Sequence, residues 1–283
     1  MRDLSQLMGI TIPADLNCSN MSELERVQHF VDVDNSTIGS LHLKDGFNCE
    51  RCLNRGHYWV VKEYNNTYIQ EMNHCECREI RQSIHNTRES GMGDLLKHRL
   101  EHYQTTEEWQ KRILDKATSY LKANTNSWFT IIGQSGAGKT MICSAIAYEL
   151  LQRYRQVKFI AWTEFVEKLK RMKFDADRED YFSEYSRTEV LYIDDLFKGS
   201  LNYDDSGRLK VNQTDVKYAF QLLNERYNKR LVTIISSEFL IDDIKLNVDE
   251  AIAGRIKERS TNYCVQIKKD MNRNYRFRKE ELI

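Results

Sequence analysis

The chain has 283 residues, 41% hydrophobic and 30% charged, a soluble globular composition long enough for one large domain and a small one. Its 42 basic and 42 acidic residues cancel, which excludes a strongly basic nucleic-acid coat and leaves any DNA contact local. No stretch approaches the roughly 18 apolar residues of a membrane span, and "MRDLSQLMGITIPADLN" lacks the apolar core of a secretory signal, so a cytoplasmic location is expected.

In chain order, the first predicted element is a short helix in "MSELERVQHFV", opened by a Ser22/Glu25 capping box and carrying Leu24, Val27 and Val31 on one face. Four of the seven cysteines then crowd between residues 49 and 77, as "CERC" and "CEC". In a reducing compartment this clustering favours a metal over disulfides. The segment between them reads as two short strands turned at Asn65-Asn66. Thiolate pairs at the ends of such a hairpin, Cys49 with Cys52 and Cys75 with Cys77, can close a tetrahedral zinc site of structural type. His57 and His74 stand near enough in the sequence to replace one cysteine. Two glycines in "RESGMGD" mark a division into an amino-terminal part, residues 1–92, and a strongly periodic part, residues 93–283.

After that break Asp94 is placed to cap "LLKHRLEHY", and Thr105 with Glu108 to open a helix through "EEWQKRILDKATSYLKA", with Trp109, Ile113, Ala117 and Leu121 on one face. Short apolar runs then alternate with helical patterns: "SWFTIIG", a helix over 139–154, "VKFIAW", a helix over 163–173, "VLYIDD", a helix over 214–227, "LVTIISS", a helix over 249–259, and "YCVQIK". Five buried strands interleaved with helices imply an α/β fold with a five-stranded parallel sheet.

Between the first of these strands and its helix lies "GQSGAGKT", a full G-x-x-x-x-G-K-T phosphate loop in the strand-loop-helix context that gives the pattern its meaning. Residues Gly133, Gln134, Ser135, Gly136, Ala137, Gly138, Lys139, Thr140 and Met141 are expected to hold the nucleotide. Backbone amides and Lys139 would neutralise phosphates, and Thr140 would ligate magnesium. The acids ending "VLYIDD" supply the second half: Asp194 for the magnesium and Asp195 to polarise the attacking water. Many related ATPases carry Glu at the second place, and the shorter Asp suggests slow hydrolysis. Ser236, Ser237 and Glu238 end the next strand, where a polar side chain could meet the terminal phosphate, with Ser237 a candidate for the catalytic set. Arg255 and Arg259 lie one turn apart on one helical face, and an arginine reaching a neighbouring subunit's site would be worth on the order of 10³ to 10⁵ in rate.

The paired cysteines, the helix before the phosphate loop, "GQSGAGKT", "LYIDDL", "TIISSE" and "GRIKER" together resemble bacterial and phage replicative helicase loaders of the DnaC/DnaI type. The likeness covers about residues 45 to 283. It implies an AAA+ ATPase without the carboxyl-terminal lid, preceded by a small zinc-ribbon-like domain that docks on the hexameric replicative DNA helicase. It further implies ATP, Mg²⁺ and Zn²⁺ as cofactors, self-association through the ATPase part, and single-stranded DNA as a partner. Arg259 matches the finger arginine and Arg255 its neighbour. Glu238 stands where many relatives have asparagine, which leaves Ser236 or Ser237 as the sensor. Candidate DNA contacts are Lys168, Lys170 and Arg171 in "EKLKRMKF", and Phe197, Lys198 and Lys210 after the second motif. Transposase-helper ATPases have a similar core and act on duplex DNA; a zinc-bearing module with a static nucleotide is the reading from outside the enzymes.

Overall fold

A computed structural model of the chain describes residues 21–203 and 209–277. It divides into two compact units, the first ending at Arg81 and the second starting at Gln82.

In the first unit, helix α1 (Glu23–Ser36) opens on the expected capping box: the Ser22 amide donates to Glu25 Oε2 (2.8 Å) and the Glu25 amide to Ser22 Oγ (3.3 Å). A short helix α2 (Leu41–Asp45) leads to strands β1 (His57–Tyr64) and β2 (Thr67–His74), paired antiparallel from His57 opposite His74 to Tyr64 opposite Thr67. Asn65 and Asn66 between them both take positive φ, 49° and 62°, the left-handed pair that a two-residue hairpin turn requires and asparagine tolerates. Asn35 fastens α1 to β1, donating to Trp59 O (2.8 Å) and accepting from Trp59 N (2.9 Å).

Helix α3 (Cys77–Glu89) starts at the last cysteine of the cluster, and the division between units falls inside it, whereas the glycines near residue 92 had suggested a later break. Gly91 and Gly93 lie just past the helix end, both at positive φ (75° and 46°); packing places Ser83 already in the second unit, its hydroxyl donating to Leu151 O (3.0 Å).

The second unit opens with 3₁₀ turns at Gly93–Lys97 and Leu100–His102, not the helix expected behind Asp94. Helix α4 (Glu108–Ala123) is capped by Glu107 and Gln110 in place of Thr105 and Glu108, because Gln110 is fully buried and its carboxamide is fixed against the Glu107 amide (2.8 Å). Then follow β3 (Phe129–Gly133), α5 (Lys139–Gln152), β4 (Val157–Ala161), α6 (Trp162–Arg171), α7 (Asp175–Ser186) and β5 (Val190–Asp194). A small hairpin, β6 (Leu201–Tyr203) with β7 (Leu209–Val211), precedes α8 (Gln213–Asn228), β8 (Val232–Ser237), α9 (Ile241–Asn247), α10 (Glu250–Arg259) and β9 (Cys264–Ile267). Helices α7 and α9 and the hairpin were not legible in the sequence.

The five strands align in the order β4-β5-β8-β3-β9, and every neighbouring pair is parallel. Helices cover both faces, so adjacent strand residues serve opposite cores. Ile131, Tyr192 and Ile234 pack with Ile113, Ile142 and Ile146 of α4 and α5, while Ile132, Ile193 and Ile235 pack with Phe165, Leu222 and Ile256 of α6, α8 and α10. Insertion of β8 between the phosphate-loop strand and the acidic strand is the AAA+ P-loop ATPase arrangement. It sets the ends of β5, β8 and β3 side by side at one sheet edge.

Candidate nucleotide site and cysteine cluster

At that edge β3 delivers the glycine loop. Gly138 caps α5 at φ 81°, and a Cβ there would meet Tyr103 Cε2 at 3.0 Å, so both conformation and room require glycine. Lys139 is only 5% exposed and folds back over the loop, donating from Nζ to Gly133 O and Gln134 O, each at 2.9 Å. Burial holds its ammonium below the usual lysine range, against the pull of Glu238, Asp195 and Asp194.

The next residue meets the second motif. Thr140 Oγ1 donates to the Asp194 carboxylate (3.1 and 3.2 Å), which also accepts from the Tyr192 hydroxyl (2.7 Å) and from Ser236 Oγ. An alcohol and a carboxylate so placed are the hard oxygen donors that magnesium takes, usually alongside waters and phosphate, so the residues present fit that ion. Ser236 also accepts the Asp195 amide (2.8 Å), tying β8 to both acids. Asp195 itself sits at φ 54°, a sparsely populated backbone state for a residue with a side chain, and pairs with Lys198 Nζ (2.6 Å). Hydrogen bonding to Asp195 raises the Lys198 ammonium.

A cavity of about 230 Å³ opens here, lined among others by Lys139, Thr140, Asp195, Lys198 and Glu238. A second, of about 260 Å³, shares Gly136, Gly138, Met141 and Tyr275 with the first and is otherwise walled by His102, Tyr103 and Gln104. One charged recess beside one aromatic recess across the phosphate loop is a shape that accommodates phosphates and a base. The aromatic wall escaped sequence reasoning, because Tyr103 and Tyr275 lie far from either motif and only the fold brings them to the loop.

Several expected site residues lie elsewhere. Ser237 is buried and donates to Leu196 O (2.7 Å); strand alternation turns it away, and Ser236 alone of the pair reaches the acids. Phe197 is fully buried against Trp162, ring centroids 5.8 Å apart, and offers no face to a DNA base. Lys198 lines the cavity beside Asp195, with which it pairs. Lys170 pairs with the buried Asp215, Lys168 stacks over the Tyr181 ring (4.1 Å) and Arg171 pairs with Glu167 (2.9 Å), so these α6 cations are engaged on their own surface. The Lys210 side chain lies outside the described residues.

Neither helix arginine approaches this chain's own phosphate loop. Arg259 donates to Asn126 O (2.7 Å), ahead of β3, whereas the loop follows β3, a strand length of roughly 16 Å away. Arg255 lies over Phe220 (4.8 Å) and donates to Ala251 O (3.0 Å).

In the first unit the four cysteines named from the sequence converge, their sulfurs all within 4.8 Å of one another. Cys49 and Cys75 are 3.7 Å apart and Cys52 and Cys77 3.5 Å. Four thiolates at about 2.3 Å from a tetrahedral zinc would be about 3.8 Å apart, so the donor set and its spacing fit that ion. The Gly56 amide donates to Cys52 Sγ (3.2 Å) and Arg81 lies beside Cys77, paired with Asp45; such contacts orient ligands and offset their charge. Burial pushes the Cys52 thiol up, but the Gly56 amide and the other thiols bring it down to about 7. Neither His57 nor His74 is in the cluster.

The family described as IstB-like ATP binding protein matches residues 62–282. The chain is 34% identical over 140 residues to the phage-like element PBSX protein XkdC of Bacillus subtilis (strain 168), across 49% of each chain. It is 27% identical over 168 residues to the replicative helicase loader DnaI of the same organism, across 56% of this chain and 51% of that one. Similarity extends to the insertion sequence IS232 putative ATP-binding protein of Bacillus thuringiensis subsp. berliner, 25% identical over 159 residues, 56% of this chain and 59% of that one. The matched segments thus span about half the length of these relatives. Among the described residues no helix is long and apolar enough to cross a membrane.

Proposed function

The chain belongs to the IstB-like ATP-binding protein family, and from that footing we propose that it is an ATP-dependent loader of the hexameric replicative helicase onto single-stranded DNA. Nucleotide phosphates sit against the loop amides and Lys139, and Thr140 and Asp194 hold Mg²⁺, which when bound offsets phosphate charge. Asp195 accepts the proton of the attacking water, and Ser236 holds both acids in register. Turnover is slow, since the Asp195 carboxylate is short and its charge is shared with Lys198. Chains self-associate through the second unit, and Arg259, remote from its own loop, completes a neighbour's site. Zn²⁺ on Cys49, Cys52, Cys75 and Cys77 stabilises the first unit, which docks on the helicase.

What supports this reading is the phosphate loop joined to the acidic strand through Thr140 and Asp194, in a chain similar to a replicative helicase loader and fronted by a cysteine tetrad at zinc spacing. Similarity to an insertion-sequence ATP-binding protein supports a second reading, a transposase helper acting on duplex DNA. The tagged 283-residue chain, with ATP, is expected to retain the replicative helicase hexamer and to raise its occupancy on circular single-stranded DNA. No helicase capture, together with ATP turnover stimulated by duplex DNA alone, would favour the helper.

A further inference from the structure

Strand β5 carries a tyrosine, Tyr192, two residues before Asp194, so strand alternation sends both side chains to the face that α5 covers. The Tyr192 ring is wholly buried there, its centroid 5.1 Å from that of Phe159. A phenol buried so completely needs an acceptor for its one hydrogen. Two lie within reach, Asp194 Oδ1 at 2.7 Å and Thr140 O at 3.3 Å. Thr140 O is already served by Ser144 Oγ (2.6 Å), so the hydrogen goes to Asp194.

The two oxygens of Asp194 are not served alike. Oδ1 accepts from Tyr192 and from Ser236 Oγ, while Ser236 in turn accepts the Asp195 amide. A carboxylate oxygen has about two lone-pair sites, and these two hydroxyls fill them. Among the described residues Oδ2 accepts only from Thr140 Oγ1 (3.2 Å), the alcohol assigned above to magnesium. Asp194 therefore offers a cation one oxygen and not two. That difference separates two common ions. Magnesium requires near-ideal octahedral geometry at about 2.0–2.1 Å, which a carboxylate gripping through both oxygens does not fit. Calcium takes about six to eight oxygens at roughly 2.3–2.6 Å and accepts a two-oxygen carboxylate readily.

Resting on the Mg²⁺ and ATP reading above, we propose that Tyr192 is a positioning residue acting through Asp194. By occupying Oδ1 it keeps the carboxylate a one-oxygen ligand and makes the site select magnesium over calcium. An aliphatic side chain would fill the same core space and leave Oδ1 half open.

The test follows binding of fluorescently labelled ATP by the 283-residue chain as Mg²⁺ or Ca²⁺ is added, comparing wild type, Tyr192→Phe and Ser236→Ala. Wild type is expected to need less Mg²⁺ than Ca²⁺ for half-maximal tightening of the nucleotide. Tyr192→Phe keeps the ring and should cut the ratio of the two midpoints roughly 10-fold, the scale of one hydrogen bond to a charged group, with affinity in chelator unchanged. Ser236→Ala opens the same oxygen from its other side and should move the ratio in the same direction, which carries the test should Tyr192→Phe fail to fold. An unchanged ratio in folded Tyr192→Phe, or no preference in the wild type, overturns the proposal. So does an equal loss in Mg²⁺, Ca²⁺ and chelator, which would make Tyr192 core packing alone. If wild type binds no labelled ATP under any of these conditions, the ATP reading itself falls and this inference with it.

Discussion

Thr140 Oγ1 lies 3.1 Å from Asp194 Oδ1 across 54 residues of sequence, joining the phosphate loop to the acidic strand. With Tyr192 and Ser236 also donating to Asp194, this carboxylate is held in one orientation before any ion arrives. Asp194→Asn is therefore expected to abolish magnesium-dependent ATP turnover while leaving weak magnesium-free nucleotide binding. Steady-state hydrolysis and nucleotide titration in chelator check this. Full turnover in the variant would remove Asp194 from the site.

Asp195 faces the cavity from a left-handed backbone position, paired with Lys198. Asp195→Asn keeps the shape and removes the base. It should retain ATP affinity and lower turnover by roughly 10² to 10⁴. A variant hydrolysing at the wild-type rate would leave the nucleotide a static ligand.

Because Arg259 stands a strand length from its own loop, its loss should act on a neighbour. Specific activity of the wild type is expected to rise with protein concentration, and Arg259→Ala to flatten it at a rate lower by about 10³ or more. Mixing Arg259→Ala with Asp195→Asn should recover activity, since one chain keeps the base and the other donates the arginine. Arg259→Lys controls for the lost bond to Asn126. Absence of recovery on mixing would count against shared sites.

The cysteine tetrad is expected to carry about one zinc per chain, measured by metal analysis. Thiolates bind the metal and thiols do not, so protons compete: zinc should be retained near neutral pH and released as pH falls. Cys52→Ser should lower zinc content and expose the first unit to proteolysis. Metal-free protein with an intact first unit would refute the zinc assignment.

Stability of the second unit is expected to hinge on Arg226, wholly buried, donating to Tyr185 O (2.9 Å), Thr188 O (2.9 Å), Val232 O and Thr233 Oγ1 (3.0 Å). Burial lowers its guanidinium to about 9. Arg226→Leu strands these carbonyls in a dry interior and should cost on the order of 3 kcal/mol, read from denaturant unfolding. A change under about 0.5 kcal/mol, typical of an uncoupled surface site, would show the carbonyls find other partners.

Local chemistry was written plainly in the sequence. Glycine spacing, a strand of four apolar residues ending in two acids, asparagines at the hairpin turn, the Ser22/Glu25 cap and the cysteine pairs each depend on neighbours a few residues away. Sheet class and strand positions followed from them. Alternation along a strand was legible as a pattern but not as a direction, which is why the sequence offered Ser237 for the catalytic set while it is Ser236 that bonds the acids. Charge runs on α6 carried still less, because Asp215 and Tyr181, the partners of Lys170 and Lys168, arrive from other elements.

By itself, then, the sequence determined that a phosphate loop, an acid pair and a four-thiol cluster exist, since backbone conformation and ligand chemistry are properties of short segments. Tertiary structure alone decided that β8 stands between the two motifs and ties them through Ser236. It also decided that Phe197 is core, that Lys198 serves Asp195, that Tyr103 and Tyr275 wall one recess, and that Arg259 faces away from its own loop. Each of these depends on which strands lie side by side and which helix covers which face, and that choice is made by burial summed over the whole unit.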